Sequence, residues 1–407
     1  MTVQDSQPKK QRDVRLDLFR GLAMLIIIVA HAPGNPWNSW IPARFGFSSA
    51  AEMFVFCSGI ASALAFGRLF ERQGFLLGSA RIVFRIWQLY WAQLAVFLVV
   101  VAMSIWASTH LGTGDYIAKL YLDWFIAEPA TAIPALLTLR YIPNFFDMLP
   151  LYMLLLATIP LAMGLARIDR RLVFVVSISL WLWVQFTGVN FSARPATDQL
   201  WFFNPLAWQL LFFTGFSFGM GWLKVPPLRH RVLMPLAIAF IVISVPLNFW
   251  GILGAVPELQ VLHDVLLPNS APTDLHVLRY VHFLAVAYLA LCLIEPVRAA
   301  LPQMRALSPV IRIGQQTLAV FLCSVPLSWG LGMAMDVLGH GALTVAALNL
   351  LGLVAAVAIA TVAAWFKSAP WQARRAVPLV AEAAQPAVAH RSQRMERDTA
   401  TPASFPV

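Results

Sequence analysis

The sequence has few charged residues for its length. Only 12% of its 407 residues are Asp, Glu, Lys or Arg, whereas 59% are hydrophobic, and the mean hydropathy is +0.72. Soluble domains carry about 25% charged and about 45–50% apolar residues. This shortage of charge excludes a disordered protein and argues against a soluble globular enzyme.

The sequence is also short of cysteine and of the motifs that mark common soluble enzymes. It has three cysteines, and Cys57, Cys292 and Cys323 all lie in apolar stretches, so no disulfide framework is expected. It has no phosphate-binding GxxxxGKS/T loop, no HExxH, no CxxC pair and no GxSxG. We therefore expect neither a metal ion nor a permanently bound cofactor.

Long apolar runs are what the sequence has in quantity. A spanning helix needs about 20 mostly apolar residues, and ten segments meet this requirement. We predict an all-α, polytopic membrane protein with about ten transmembrane helices. The predicted spans are 16–33, 48–66, 84–106, 147–166, 172–189, 204–222, 232–250, 277–294, 314–337 and 343–366.

The distribution of Lys and Arg predicts the orientation of these spans. With the amino terminus in the cytoplasm, 23 of the 29 Lys and Arg residues fall in inner segments, as the positive-inside rule requires. Both termini are therefore expected in the cytoplasm, and the net charge of +10 is dispersed rather than gathered into a nucleic-acid surface. The predicted parts are a cytoplasmic segment 1–15, a transmembrane domain 16–366 and a disordered cytoplasmic tail 367–407. A secretory signal cleaved near Ala32 is the alternative for the amino terminus, and the acidic Asp17 argues against it.

The first predicted span carries three ionisable residues, which are costly inside a bilayer. Asp17 and Arg20 are three residues apart and share a helix face, which would let them pair. Arg20 and His31 are eleven apart, close to three helical turns, so both face the same way about 16 Å apart along the axis. Glu52 lies at the same outer level in the second span, where it would orient the imidazole and raise its basicity. The alternatives are a snorkelling Arg, an interfacial His and a structural His–Glu pair.

Further polar residues lie near the predicted outer membrane level. Asp147 opens the fourth span, and Asn204 opens the sixth. His276, Arg279 and His282 recur every three residues where the eighth span begins, so they share a helix face. Arg279 could hold an anionic group through two parallel hydrogen bonds. Anchoring at the membrane interface is the alternative role for these residues.

The chain resembles a known superfamily and, more closely, one family within it. The spacing from Arg20 to His31 resembles the first helix of the membrane acyltransferase superfamily of the acyltransferase 3 type. Over about residues 12–330 the chain resembles more closely the OpgC-type osmoregulated periplasmic glucan succinyltransferases. The segments that carry this resemblance are RLDLFRGLAMLIIIVAH, FGFSSAAEMFVFCSG, RIVFRIWQLYWAQL, FFDMLPLYMLLL, FFNPLAWQLLFFTG and IGQQTLAVF.

The resemblance implies an O-acyltransferase of the bacterial inner membrane. Its donor would be a cytoplasmic acyl-CoA, with succinyl-CoA preferred, and its acceptor a hydroxyl of a periplasmic glucan. His31 would be the catalytic base, Glu52 its partner, and Asp17 and Arg20 part of the donor path.

Position along the chain suggests the remaining site residues. The donor-side candidates are Arg85 and Gln315, and the candidates for the acceptor or the acyl group are Asp147, Asn204, Arg279 and His282. Arg279 is the expected partner of a succinyl carboxylate, and Gln315 could instead support helix packing. The expected partners are acyl-CoA, a glucan and the lipid bilayer, without nucleic acid. A secondary transporter or exporter of an anionic small molecule or glycan is the alternative function, although no inverted repeat is visible.

Overall fold

A computed structural model describes residues 13–112, 114–195, 197–268 and 271–372. All regular elements in these ranges are helices, and one isolated β-bridge joins Ser192 and Leu200. The all-α prediction is therefore confirmed for the described chain. Most of the predicted segment 1–15 and of the predicted tail 367–407 lies outside the described residues.

The described chain contains sixteen α-helices, joined in places by short 3-10 turns. The helices are α1 (Val14–His31), α2 (Ala50–Ser62), α3 (Arg68–His110), α4 (Tyr116–Lys119), α5 (Asp123–Ala127), α6 (Pro129–Leu137), α7 (Met148–Ile168), α8 (Arg170–Thr187), α9 (Pro205–Met220), α10 (Leu233–Ser244), α11 (Trp250–Leu253), α12 (Pro257–Leu266), α13 (Val277–Ile294), α14 (Ser308–Gln315), α15 (Thr317–Leu338) and α16 (Ala342–Lys367).

Each predicted span overlaps a helix, but the boundaries and connecting segments differ in three respects. The predicted inner loop 67–83 is helical, because a π-turn at Ala63–Gly67 leads directly into α3, which is broken only at Gly74, where φ is +85°. The predicted span 232–250 ends early, at Ser244, because Pro246 follows and cannot continue the helix. The long predicted outer segments are not featureless, since α4, α5, α6, α11 and α12 lie within them.

Six helical segments of the described chain are long and apolar enough to cross a membrane, with Ala50–His110 counted as one segment. Their outer surfaces carry large exposed apolar side chains, such as Leu343 and Val354 of α16, which suits contact with lipid. A polytopic membrane protein is therefore supported. The count of ten spans and the sides on which the termini lie stay predictions.

Side-chain caps explain where several helices begin. The Asp13 carboxylate accepts the backbone N–H of Arg15 at the start of α1, and Asn204 accepts that of Leu206 at the start of α9. Ser49 and Glu52 form a capping box at the start of α2. The Ser49 side chain accepts the backbone N–H of Glu52, and the Glu52 side chain accepts the backbone N–H of Ser49.

Two pairs of helices approach closely through glycine. Gly59 of α2 and Gly215 of α9 lie directly against backbone of the opposite helix, at Phe212 and Phe56 respectively. Gly314 of α14 lies in the same way against the backbone of Asp17 in α1. Small residues allow such close helix packing inside membranes. The packing on α9 and α14 therefore fixes the positions of the two helices, α1 and α2, that carry the candidate site.

Candidate functional site

Helix α1 presents its two key side chains to separate cavities. Arg20 lines a cavity of about 1050 Å³ near the start of α1, and His31 lines a cavity of about 310 Å³ at its end. We call these the basic cavity and the imidazole cavity. They share no lining residue, and the fully buried Met24 lies between them along α1. The helical spacing thus places a cation and an imidazole in two different cavities.

The basic cavity gathers charged residues from three parts of the chain. Its walls are otherwise apolar side chains of α2, α9 and α13, together with Tyr280 and Tyr288. The charged residues that line it are Asp13, Arg15, Asp17, Arg20, Arg68 and Arg298.

Some of these cations are neutralised within the protein. Arg15 pairs with Asp13 at 2.8 Å and with Glu295 at 2.5 Å, and Glu295 also contacts Arg298 at 3.5 Å. The hydrogen bond and charge of Arg15 hold the pKa of the Asp13 carboxyl below its usual value, against the opposing effect of partial burial. This network closes one rim of the basic cavity.

Two other cations keep their charge available. Arg20 and Arg68 make no ion pair within the described chain, and the Arg20 Nε atom is buried without a hydrogen-bond partner. A buried guanidinium nitrogen without a partner is costly, and an anionic ligand would satisfy it. Sequence reasoning did not single out Arg68, because nothing in the sequence shows that it faces the same cavity as Arg20.

Two predicted donor-side residues lie elsewhere. Arg85 donates to Gln88 on the same helix at 3.2 Å, and it does not line the basic cavity. Gln315 ends α14 and does not line it either. The prediction that these residues face the donor site is therefore not supported by the geometry. The preceding Gly314 makes the close contact with α1.

The ring of His31 is held by a backbone carbonyl. Its Nδ1 lies 2.9 Å from the Ile27 carbonyl oxygen, and its ring packs edge-on against Phe145 at 5.3 Å. A carbonyl oxygen only accepts, so Nδ1 carries the proton and Nε2 keeps a free lone pair. The arrangement therefore supplies an imidazole whose Nε2 can accept a proton.

Glu52 does not contact His31, contrary to the expectation from sequence. Glu52 is fully buried, and its Oε2 accepts the Ser49 backbone N–H at 2.8 Å and the Ser49 hydroxyl at 2.6 Å. Its Oε1 pairs with Arg279 Nη2 at 2.5 Å. The equal depth predicted from the sequence does not make the two residues partners, because the capping box and the ion pair with Arg279 hold the carboxylate instead. Glu52 acts on the imidazole cavity through Ser49, which lines it.

Arg279 and His282 are likewise committed to structural contacts. Arg279 is the partner of Glu52 and lines neither described cavity. His282 is buried, with Nδ1 2.8 Å from the Ser48 hydroxyl and Nε2 3.0 Å from the Ser244 hydroxyl. Their shared helix face therefore fastens α13 to the start of α2, and the predicted roles for these residues toward the acceptor or acyl group do not follow from the geometry.

Asp147 lies between the imidazole cavity and a third, more polar one. This third cavity, of about 580 Å³, is lined by two carboxylates, Asp147 and Asp274, and we call it the acidic cavity. Asn144, Asp147 and Phe202 line both cavities, so the two are contiguous. Asp147 therefore lies where the two cavities adjoin, and its role toward the acceptor stays a prediction.

Asn204 supports the acidic cavity without lining it. It is fully buried, and its Nδ2 donates to the Val189 carbonyl at 2.8 Å and to Asp274 Oδ1 at 3.0 Å. Sequence reasoning missed Asp274, Gln199 and Asn144, which come from loops far apart in the chain. Polar residues in long outer segments were the available signal, but nothing in it shows which of them converge.

Within the described chain, no group of three or more His, Cys, Asp or Glu side chains could hold a metal ion. The family model of the OpgC protein matches residues 12–368, a range that contains all the helices described above. No curated protein and no solved structure matches the chain.

Proposed function

The chain belongs to the OpgC protein family, and from this membership we propose that it is an integral membrane O-acyltransferase acting on a glucan. The family and the apolar helices together indicate a glucan-modifying membrane protein. Our finer proposal is transfer of an acyl group, succinyl by preference, from acyl-CoA to a glucan hydroxyl. The observation that carries it is the position of Arg20 and His31 on one helix, each lining its own cavity.

The proposed orientation places the basic cavity at the cytoplasmic side of the bacterial inner membrane. The imidazole and acidic cavities then face the periplasm, where the glucan would be. The excess of Lys and Arg in alternate connecting segments supports this orientation. The spacing of Arg20 and His31 also supports a place in the acyltransferase 3 superfamily.

The donor half of the proposal rests on two cations. Arg20 and Arg68 have guanidinium groups without a counter-ion among the residues that the structure describes, and phosphate oxygens of CoA match the fork of donors that each presents. The thioester arm would run along α1 toward His31. Because the two cavities share no lining residue, the arm can reach His31 only if side chains between the cavities move aside.

The proposed acyl-transfer step depends on the tautomer of His31. Nε2 takes the proton of the glucan hydroxyl as its oxygen bonds to the thioester carbonyl carbon. The carbon–sulfur bond then breaks, and the proton passes from the imidazolium to the departing CoA sulfur. The Ile27 carbonyl holds Nδ1–H throughout, which keeps Nε2 directed to this exchange. Since Arg279 is already paired, we assign it no part in binding a succinyl carboxylate.

Acyl transfer by purified protein in detergent tests the proposal against the transporter alternative. Labelled succinyl-CoA and unsubstituted glucan should yield labelled glucan without any sealed compartment, whereas a transporter requires vesicles. His31→Ala should abolish transfer and leave the folded protein intact, and His110→Ala, at an exposed His on α3, is the matched control. Transfer retained by His31→Ala would contradict the role assigned to the imidazole.

A further inference from the structure

Among the residues that the structure describes, no cation lines the acidic cavity, and its lining includes both hydrogen-bonding and aromatic groups. Within the described chain its polar side chains include Asp147, Asp274 and Gln199, and no Lys or Arg lines it. We propose that this cavity is the acceptor subsite: it binds an uncharged sugar segment of the glucan and discriminates against a segment already carrying an anionic acyl group. This inference rests on the proposed function and adds the place and selectivity of acceptor binding.

In each carboxylate of this cavity, only one of the two oxygens accepts a hydrogen bond within the described chain. Asp147 Oδ1 accepts the Phe202 backbone N–H at 3.3 Å, and Asp274 Oδ1 accepts Asn204 Nδ2 at 3.0 Å. The second oxygen of each carboxylate has no hydrogen-bond partner in the described chain. The side-chain amide of Gln199 has none there either. Sugar hydroxyls are donors that carboxylate oxygens can accept, and an amide can bind them through either of its ends.

Aromatic rings supply the complementary surface. Tyr121 and Phe202 line the cavity with 46% and 50% of their surface exposed, and the buried Trp201 lies beside them. Exposed rings next to fixed polar groups suit the alternating C–H and hydroxyl faces of a pyranose. An extended anionic or purely apolar ligand would leave one half of this lining unused.

The position of the cavity matches the chemistry at His31. Asp147 and Phe202 line both the acidic and the imidazole cavity, so a sugar held in the first would lie next to the cavity that His31 lines. The Asp274 carboxylate near the bound segment would repel a succinyl carboxylate. Unsubstituted stretches of glucan should therefore bind, and substituted stretches should leave.

Calorimetric binding of two glucans tests the proposal independently of turnover. The probes are unsubstituted glucan from cells that lack this protein and the same glucan succinylated chemically. Wild-type protein should bind the unsubstituted glucan at least about tenfold more tightly. Gln199→Ala should weaken that binding by about three- to tenfold through one lost hydrogen bond. Asp274→Asn keeps an acceptor for Asn204 and should reduce the discrimination between the probes several-fold.

Asp264→Asn, which changes an exposed carboxylate on α12 outside the cavity, is the matched control and should leave both affinities unchanged. Equal affinity of wild type for both probes, or affinities unmoved by Gln199→Ala and Asp274→Asn, would overturn the proposal. Binding that follows the expected pattern without any acyl transfer would support the subsite and contradict the proposed acyltransferase. Acyl transfer with a glucan KM unmoved by either variant would contradict the subsite alone.

Discussion

The Glu52 carboxylate and the Arg279 guanidinium form a buried ion pair, with 2.5 Å between Oε1 and Nη2. Glu52 is fully buried, and the side chain of Arg279 is only 15% exposed. The other carboxylate oxygen holds Ser49, which lines the imidazole cavity. The pair therefore joins α13 to the first turn of α2 and fixes one wall of the site.

Removing one partner of this pair should destabilise the protein strongly. Glu52→Gln leaves the Arg279 charge buried without a counter-ion, which costs about 3–5 kcal/mol for comparable pairs. The double variant Glu52→Leu/Arg279→Leu should recover most of this loss, because it removes both charges. Unfolding of the purified protein in detergent, followed by helical circular dichroism, measures the difference. A Glu52→Gln protein with unchanged stability and no turnover would instead show that Glu52 acts in the chemistry.

Loss of either unpaired cation should weaken donor binding. Arg20→Gln and Arg68→Gln should each raise the KM for acyl-CoA about ten- to hundredfold, the value of one charge-assisted hydrogen bond. The glucan KM should stay the same, and the wild-type KM for acyl-CoA should rise with added salt. Arg85→Gln, at a residue outside the basic cavity, is the control. An equal effect of all three substitutions would point to a general loss of positive charge at the membrane surface.

The rim of the basic cavity should respond to acid. The Arg15 hydrogen bond lowers the pKa of Asp13, so the folded state keeps this carboxylate ionised where the unfolded state would be protonated. The resulting stability is present above the unfolded pKa of about 3.9 and is lost as the pH falls through the lower folded pKa. Asp13→Asn should therefore reduce the fall in the thermal midpoint between pH 5 and pH 3, and Arg15→Gln should do the same. An unchanged slope in both variants would contradict the coupling.

The positions of the helices could be predicted from the lengths of the apolar runs. A helix that spans a bilayer must form its backbone hydrogen bonds internally, and a charged side chain inside it is costly. The errors arose where a proline, or a contact between distant segments, determines where a helix ends. Pro246 lies two residues after the end of α10, and the segment beyond it is held by Asn248, whose side chain donates to the Ala43 and Gly46 carbonyls at 2.9 Å. These contacts join segments about 200 residues apart, so the sequence gives no local sign of them.

The candidate site was predictable only where its residues share one helix. Arg20 and His31 could be related because helical geometry fixes their spacing. Glu52 could be assigned to the start of α2 but not given its partner, because the rotation of α2 about its axis depends on its glycine contact with α9 at Phe212. Asp274 was missed because its contact with Asn204 joins positions 70 residues apart in the sequence.

The close packing of α14 on α1 should be required for donor binding. Gly314 lies against the Asp17 backbone without room for a Cβ, so Gly314→Ala must push α14 away from the part of α1 that carries Arg20. We expect a loss of about 1–3 kcal/mol in stability, as for other overpacked cores, together with a raised KM for acyl-CoA. Gly164→Ala in α7 is the matched control, because no atom lies within 4 Å of its added Cβ. Gln315→Ala should leave the KM for acyl-CoA unchanged, since Gln315 does not line the basic cavity. A KM raised by Gln315→Ala but not by Gly314→Ala would show that the glutamine itself contacts the donor, as first expected from the sequence.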